Sequence, residues 1–400
     1  MTSPLPRRSF LQCILGAGAT FALGGPLRAA EPNPPHGPLK AVIIGHTGRG
    51  NYGHDLDLAF AGQPGLEVVA VADPVEAGRA QAARRSGALR QYADYREMLE
   101  RERPHLVSVA PRWTDQHHAM IRAALQAGAH VYAEKPFTRT LAEADELLAL
   151  ARSLNRRIAV AHQMRLAPAV LHLKRRIDEG LIGALLALHG HGKQDARAGG
   201  EDLVVLGTHV FDLMRFFAGE PQWCSASIRQ QGREITLADA RRATEDIGPV
   251  AGDEIEAQFA FASGVTGSFT SRARLRDTAG PWGLHLLGSK GTVRVLMDIF
   301  PRVYLKQTGA WSSGGADDAW RPLADDPGWQ VPESERGFFH ANRRVVSDWL
   351  EAIRQGREPV CSGAAATGAL EMAMAIFAAG LSRSRVQFPL ARRTHPLDGE

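Results

Sequence analysis

From Leu39 to Ala161, short apolar runs alternate with helical stretches, and this alternation constrains the fold most strongly. Leu39-Lys-Ala-Val-Ile-Ile-Gly45, Leu66-Glu-Val-Val-Ala-Val-Ala72 and His105-Leu-Val-Ser-Val-Ala-Pro111 read as strands. So do His130-Val-Tyr-Ala133 and Arg157-Ile-Ala-Val-Ala161, the latter as the sixth of its sheet. Between them, Asp94-Tyr-Arg-Glu97 and Thr140-Leu-Ala-Glu143 are capping boxes that open helices, and Gly128 closes a helix begun near Asp115. Strands that take turns with helices predict an α/β unit with a parallel, doubly wound sheet.

The first strand runs into Gly45-His-Thr-Gly-Arg-Gly50, which is expected to turn it into a helix. A dinucleotide fingerprint places glycines first, third and sixth: for the turn, for pyrophosphate approach and for helix packing. Gly45 and Gly50 meet that rule, Thr47 departs from it, and Gly48 and Arg49 complete the turn. Asp73 ends the second strand, 23 residues after Gly50. A carboxylate there accepts the ribose hydroxyls of NAD and repels the extra phosphate of NADP, although capping the next helix would also explain it. NAD is the expected cofactor, with NADP as the alternative.

His130-Val-Tyr-Ala-Glu-Lys-Pro-Phe137 ends a strand abruptly in a carboxylate, an amine and a proline. Ligands of open parallel sheets collect beyond the carboxyl ends of the strands, which is where Lys135 would stand. Pro136 fixes its own φ and narrows the choices of Lys135.

After Ala161 the alternation stops. Helix Pro168–Glu179 is followed by strand-like segments at 184–190, 225–229, 254–261, 265–272, 283–287, 291–296 and 302–306, with turns at Ser263-Gly264 and Ser289-Lys-Gly291. A large, mostly antiparallel sheet with helices on one face is expected. Helix Leu206–Ala218 carries His209, Asp212, Leu213 and Phe216 on one face. Two further helices, Asn342–Gln355 and the almost wholly apolar Ala364–Ser382, close the chain.

His189, His191, Lys193, Asp195, Arg197, Glu201 and Asp202 form a polar cluster able to grip hydroxyls or carboxylates. His189 and His191 have no clear third ligand, so no metal is expected. Trp311, Trp320 and Trp329 read equally as a sugar-stacking rim or a loop core.

The 400 residues allow two domains. The net charge of +4 is spread over scattered arginines, which reads as solvated surface more than as a nucleic-acid face, so no nucleic-acid partner is expected. Cys13, Cys224 and Cys361 lack metal-ligand spacing, and no apolar run after the N-terminus reaches about 18 residues, so no membrane span is expected there. Pro6-Arg7-Arg8-Ser9-Phe10-Leu11, a Gly/Ala-rich apolar run and Pro26-Leu-Arg-Ala-Ala30 match a twin-arginine export signal, and hence a periplasmic protein. The expected organisation is signal 1–30, linker 31–39, NAD(P)-binding domain 40–161, substrate and dimerisation domain 162–392, and tail 393–400.

The Gly-rich turn, Asp73, Ala110-Pro111 followed by His117, and Glu134-Lys135-Pro136 together resemble the Gfo/Idh/MocA family of glucose–fructose oxidoreductase and inositol dehydrogenase, over residues 40 to 392. The resemblance implies that Lys135 lies between nicotinamide and substrate. It implies that Pro111, Trp113 and His117 line the cofactor crevice and that Glu134 faces the nicotinamide ribose. It puts a catalytic His at His209, after Gly199-Gly200, and a substrate contact at Arg165. Lys193, Asp195 and Asp212 are expected beside the same substrate. Where the family usually has an Asp one turn before the His, this chain has Val205.

The implied reaction is hydride transfer from a CH–OH group of a sugar or cyclitol, with Lys135 or His209 taking the hydroxyl proton. The open sheet face would form a homodimer or homotetramer. Export through the twin-arginine route implies a tightly held cofactor recycled within the cycle. Two alternatives stand beside it: redox-neutral, NAD-dependent glycoside cleavage, and a non-catalytic sugar-binding protein on a dehydrogenase scaffold.

Overall fold

The computed structural model describes residues 37–275, 282–307, 319–326, 328–329 and 336–399. The expected export signal (1–30), most of the expected linker, Cys13 and Trp311 lie outside the described residues, as do parts of the loops at 274–277 and 307–336.

The first sheet holds β1 (Leu39–Ile44), β2 (Leu66–Ala72), β3 (Arg90–Tyr92), β4 (Leu106–Val109), β5 (His130–Ala133) and β6 (Ile158–Val160). All its pairings are parallel, in the order β3-β2-β1-β4-β5-β6. The order reverses direction between β1 and β4, which opens the crevice in which dinucleotides bind. Helices α1 (Glu76–Ser86), α2 (Tyr95–Glu102), α3 (His117–Gln126) and α4 (Leu141–Ser153) connect the strands. The expected caps form: Asp94 accepts from Arg96 N, and Thr140 Oγ1 accepts from Glu143 N at 3.1 Å.

The helix expected after Gly50 is not there. Gly53–Leu58 is a short 3-10 segment, interrupted by His54 and Asp55 at φ 49° and 58°. With Gly50 and Asn51 also at positive φ, the chain is held out of the right-handed helical basin there.

The second unit of structure contains α5 (Pro168–Asp178), β7 (Leu185–His191), α6 (Gly200–Val205), α7 (Gly207–Ala218), β8 (Pro221–Gln230), β9 (Arg233–Glu234), β10 (Arg241–Arg242), β11 (Pro249–Val250), β12 (Glu254–Phe261), β13 (Thr266–Arg272), β14 (Gly283–Gly288), β15 (Thr292–Leu296), β16 (Arg302–Lys306) and β17 (Arg321–Pro322). Then come α8 (Phe338–Gln355), α9 (Gly363–Ser382) and β18 (Val386–Gln387). The large sheet runs β17-β16-β15-β14-β7-β13-β12-β8-β18, with β9 on β8, and is antiparallel except where β13 meets β7. Alternation along β12 shows its two faces: Ile255, Ala257, Phe259 and Phe261 are buried, while Glu256 and Gln258 point to the open side. The fold class is therefore as expected, a Rossmann sheet joined to an α/β domain with a mostly antiparallel sheet.

Two helices depart from what their sequence neighbours suggest. α8 returns to the first sheet, where Val345, Val346 and Trp349 pack with Ile43, Phe60 and Tyr132. It covers the face that the missing helix after Gly50 leaves bare. α9 is long and apolar enough to cross a membrane by length and composition, yet 67% of its most apolar window is buried inside the protein. It packs with α7 and β8 in the core of the second sheet. The C-terminal residues also dock: Arg393 pairs with Asp145 at 2.7 Å and Glu371 at 2.5 Å.

Candidate active site

β5 delivers Glu134 and Lys135 to the carboxyl edge of the first sheet, and both side chains are buried. The Lys135–Pro136 peptide is cis. Lys135 Nζ donates to Val205 O at 3.2 Å, where α6 gives way to α7. Burial lowers the Lys135 pKa, and the carboxylates of Glu134 and Glu245 oppose that shift. Glu134 binds the His54 imidazole with one oxygen and the Lys135 backbone N–H with the other. Burial alone would raise Glu134, but His54 and Lys135 bring its carboxyl below the usual range.

His209 comes from α7 and lines the same pocket as Lys135. Its Nδ1 is buried without a partner, and its ring meets His162 and Trp282 edge-on at 5.3 and 5.7 Å. Burial, reinforced by the Lys135 amine, pushes His209 well below its ordinary pKa. The imidazole is thus neutral through the physiological range, which differs from a group titrating near pH 7. A neutral imidazole and an amine sharing one pocket can accept and orient a hydroxyl proton.

The pocket also takes in His54, Arg112, Gln163, Arg197, Trp282 and Asp298. His54 and Arg112 line the adjoining cleft too, together with Gly48, Gly50, Gly53 and Trp113. A further cleft beside Asp73 is lined by Gly45, Pro74, Tyr95, Arg96, Gln116 and Met120. These clefts follow the edge on which a dinucleotide lies.

The residues fit such a ligand. A Cβ on Gly50 would stand 2.4 Å from the backbone nitrogens of Arg112 and Trp113, and one on Gly53 would stand 2.6 Å from Glu134 Oε1. Both glycines therefore keep a narrow floor open. Gly53 was missed in the sequence, although Gly48-Arg-Gly50-Asn-Tyr-Gly53 satisfies the full G-x-G-x-x-G spacing in a second frame.

Other expected residues fall in different places. Asp73 is buried, and its carboxylate accepts from Thr47 N (3.0 Å), Thr47 Oγ1 (2.8 Å) and Val75 N (2.9 Å). Thr47, the departure from the fingerprint, is thus a partner of Asp73. Arg49 donates to Asp115 at 2.5 Å and to Asp246 at 2.9 Å, and lies over the Trp113 ring. It ties the Gly-rich loop to the second domain. His117 does not line a cleft: its ring nitrogens face the carbonyls of Pro136 at 2.9 Å and Pro111 at 2.6 Å, bracing the loops after β4 and β5.

Arg165 and Asp212 do not reach the pocket. They pair in a two-pronged arrangement, Nη2–Oδ1 2.6 Å and Nε–Oδ2 3.0 Å, which holds the Asp212 carboxyl well below the usual range despite its burial. Lys193 lines the pocket, whereas Asp195 sits behind it, held by Arg197 at 2.6 Å and lowered to about 2 by that pair. His189 and His191 bond Ser268 and Thr270 on the open sheet face. Trp320 lies under the Arg294 guanidinium and Trp329 meets His172 edge-on, so the pocket's tryptophan among the described residues is Trp282.

The buried Glu245 was also missed. Its Oε1 lies 3.3 Å from Arg197 and 3.5 Å from Arg112, and its carbonyl accepts from Thr114 N at 3.3 Å. Nothing local in its sequence marks it. Among the described residues, no group of three His, Cys, Asp or Glu side chains is arranged to hold a metal.

Comparison with known proteins places this geometry. Residues 39–162 match the model of an oxidoreductase family with an NAD-binding Rossmann fold, and residues 174–388 match that family's C-terminal alpha/beta domain. Levoglucosan dehydrogenase of Pseudarthrobacter phenanthrenivorans is 31% identical over 364 residues, covering 80% of this chain and 90% of the relative. The NAD(+)-dependent scyllo-inositol 2-dehydrogenase of Bacillus subtilis is 23% identical over 348 residues, covering 84% and 92%. A solved levoglucosan dehydrogenase in complex with NADH and L-sorbose superposes with a TM-score of 0.72 at 24% identity, over 88% of this chain and 100% of that one. With both family domains matched in order and the Lys135–His209 pocket set between them, this chain belongs to the Gfo/Idh/MocA oxidoreductase family.

Proposed function

We propose that this protein is an exported NAD-dependent dehydrogenase acting on a CH–OH group of a sugar or sugar derivative, with a tightly held, internally recycled cofactor. One observation carries the catalytic part. Lys135 and His209, from different domains, line one pocket that shares His54 and Arg112 with the Gly-rich cleft. The 31% identity to levoglucosan dehydrogenase supports a sugar as substrate.

NAD, when bound, supplies the hydride acceptor. The chain supplies the rest. His209, kept neutral by burial, takes the hydroxyl proton, and the Lys135 amine orients the hydroxyl oxygen. Phe338, Met164 and Trp282 wall the pocket with apolar surface. Glu134, held by His54, stands beside Gly53 at the cofactor cleft.

Export rests on Arg7-Arg8 and the apolar run that follows. A protein exported already folded can carry its nucleotide with it, and with no pool to exchange with it must reoxidise that nucleotide on a second substrate. The open face of the second sheet is the proposed dimer surface. A second reading, redox-neutral glycoside cleavage through a transient ketone, is favoured by Val205, which replaces a carboxylate the simple dehydrogenase reaction normally uses.

Mass spectrometry of small molecules released on denaturing the mature protein tests the proposal. Stoichiometric NAD(H) is expected. A protein that is empty and takes up no added nucleotide overturns it in favour of a binding scaffold.

A further inference from the structure

The pocket is charged in a way that a neutral sugar does not call for. Among the described residues, four cationic side chains line it, Arg112, Lys135, Lys193 and Arg197, against one acid, Asp298. Neutral sugars present hydroxyls that donate mainly to carboxylates and carbonyls, while a lysine or arginine donates only. The charged part of the lining is therefore dominated by donors, with Asp298, Gln163 and His209 able to accept.

Two of the four cations are already engaged. Lys135 is held by the Val205 carbonyl at 3.2 Å. Arg197 spends its guanidinium on Asp195 (2.6 and 3.1 Å) and Glu245 (3.3 Å). The other two are held loosely. Arg112 Nε is 3.5 Å from Glu245, and Lys193 Nζ is 3.6 Å from Asp195, at or past the limit of a hydrogen bond. Their side chains keep 46% and 47% of their exposure.

The base of Lys193 is nevertheless rigid. Its backbone N–H donates to Asp202 at 3.2 Å, and the same buried carboxylate receives Gln194 N at 3.1 Å and Ser271 Oγ at 2.6 Å. A fixed backbone with a loosely paired ammonium above it is a preorganised anion-binding position.

We propose that the substrate is an anionic sugar, one bearing a carboxylate or a phosphate, and that Lys193 and Arg112 hold its charged group. This rests on reading the pocket as the substrate site of a sugar dehydrogenase. It narrows that reading to a substrate class.

The test uses the NAD-loaded full-length mature protein and matched triplets in the gluco, galacto and manno series: the neutral hexose, its uronic acid and its 6-phosphate. Binding is read by calorimetry and oxidation by NADH absorbance. A single charge-assisted hydrogen bond to the anion is expected to favour it over its neutral parent by about tenfold or more in Kd. Preference for the uronate assigns a carboxylate site, and preference for the phosphate ester a phosphate site. Lys193→Gln should raise the Kd of the preferred anion about tenfold more than that of the neutral sugar, and adding salt to about 0.5 M should shrink the gap.

Equal or better use of the neutral sugars overturns the anionic proposal and leaves the dehydrogenase reading standing. So does a Lys193→Gln penalty that is the same for both. Protein that binds NAD but neither binds nor oxidises any of these sugars overturns both.

Discussion

The amine of Lys135 is tethered to a main-chain oxygen, Val205 O at 3.2 Å, and so to the break between α6 and α7. A backbone carbonyl neither ionises nor moves with pH, so the amine's position is set by helix geometry. Lys135→Ala removes the group without disturbing that break. The expected result is a fall in turnover of about 10² or more with nucleotide retained, read by steady-state rates beside released-nucleotide analysis. Unchanged turnover would remove Lys135 from the chemistry.

The Arg49 bridge to Asp115 and Asp246 spans from the Gly-rich loop to the second domain. Partly exposed pairs are worth about 0.2–1 kcal/mol each. Arg49→Ala should therefore speed nucleotide release by about three- to tenfold, seen as loss of bound NAD during dialysis. A release rate that does not change would show that the bridge does not retain the cofactor.

Asp73 is filled by Thr47 and Val75 before any ribose arrives. Asp73→Ala should weaken NAD about tenfold and relax the preference against NADP, whereas Thr47→Ala removes one of two donors on Oδ2 and should preserve that preference. Titrating both nucleotides against both variants decides it; an Asp73→Ala protein with unaltered preference would refute the role.

Arg165→Ala strands the buried Asp212 carboxylate. Breaking a buried pair from one side costs about 3–5 kcal/mol, so denaturant midpoints should drop sharply. Because neither side chain lines the pocket, the surviving folded enzyme should keep its KM. A large KM change at modest stability loss would return Arg165 to the substrate.

Three histidines accept backbone N–H groups at Nδ1: His105 from Lys40 (2.9 Å), His130 from Arg157 (3.0 Å) and His395 from Leu397 (3.2 Å). That role requires an unprotonated nitrogen. Burial lowers all three, His130 to about 3 and His395 to about 4. Unfolded, each protonates near pH 6.5, so the unfolded chain binds more protons below that pH. Stability should be full above about pH 6.5 and fall on acidification toward about pH 4. His130 and His395 each contribute up to about 1.4 kcal/mol per pH unit. Thermal melts from about pH 7.5 to about pH 4.5 should show Tm falling, and His130→Gln with His395→Gln should flatten the slope. An equally steep slope in the double variant would place the acid sensitivity elsewhere.

Much of this was legible in the sequence because it was local. Strand periodicity, the Asp94 and Thr140 caps and the abrupt Glu134-Lys135-Pro136 ending each announce themselves within a few residues. What escaped notice depends on distant partners. Arg165 looks like a free cation until Asp212 folds against it, and Glu245 looks like any loop acid until Arg112 and Arg197 converge on it. The missing helix after Gly50 was hidden differently: positive φ at His54 and Asp55 is a backbone choice that neither residue type advertises. Gly53 was visible all along, in a reading frame three residues further on.

The return of α8 to the first sheet has a consequence for how the protein is made. Ile43, Phe60 and Tyr132 leave the ribosome early, yet the helix that covers them ends at Gln355. The nucleotide-binding half therefore cannot finish folding as it emerges, the usual order for an N-terminal domain. It waits, one face uncovered, until α8 has been synthesised. Nucleotide would be captured only once α8, which ends at Gln355, has been made.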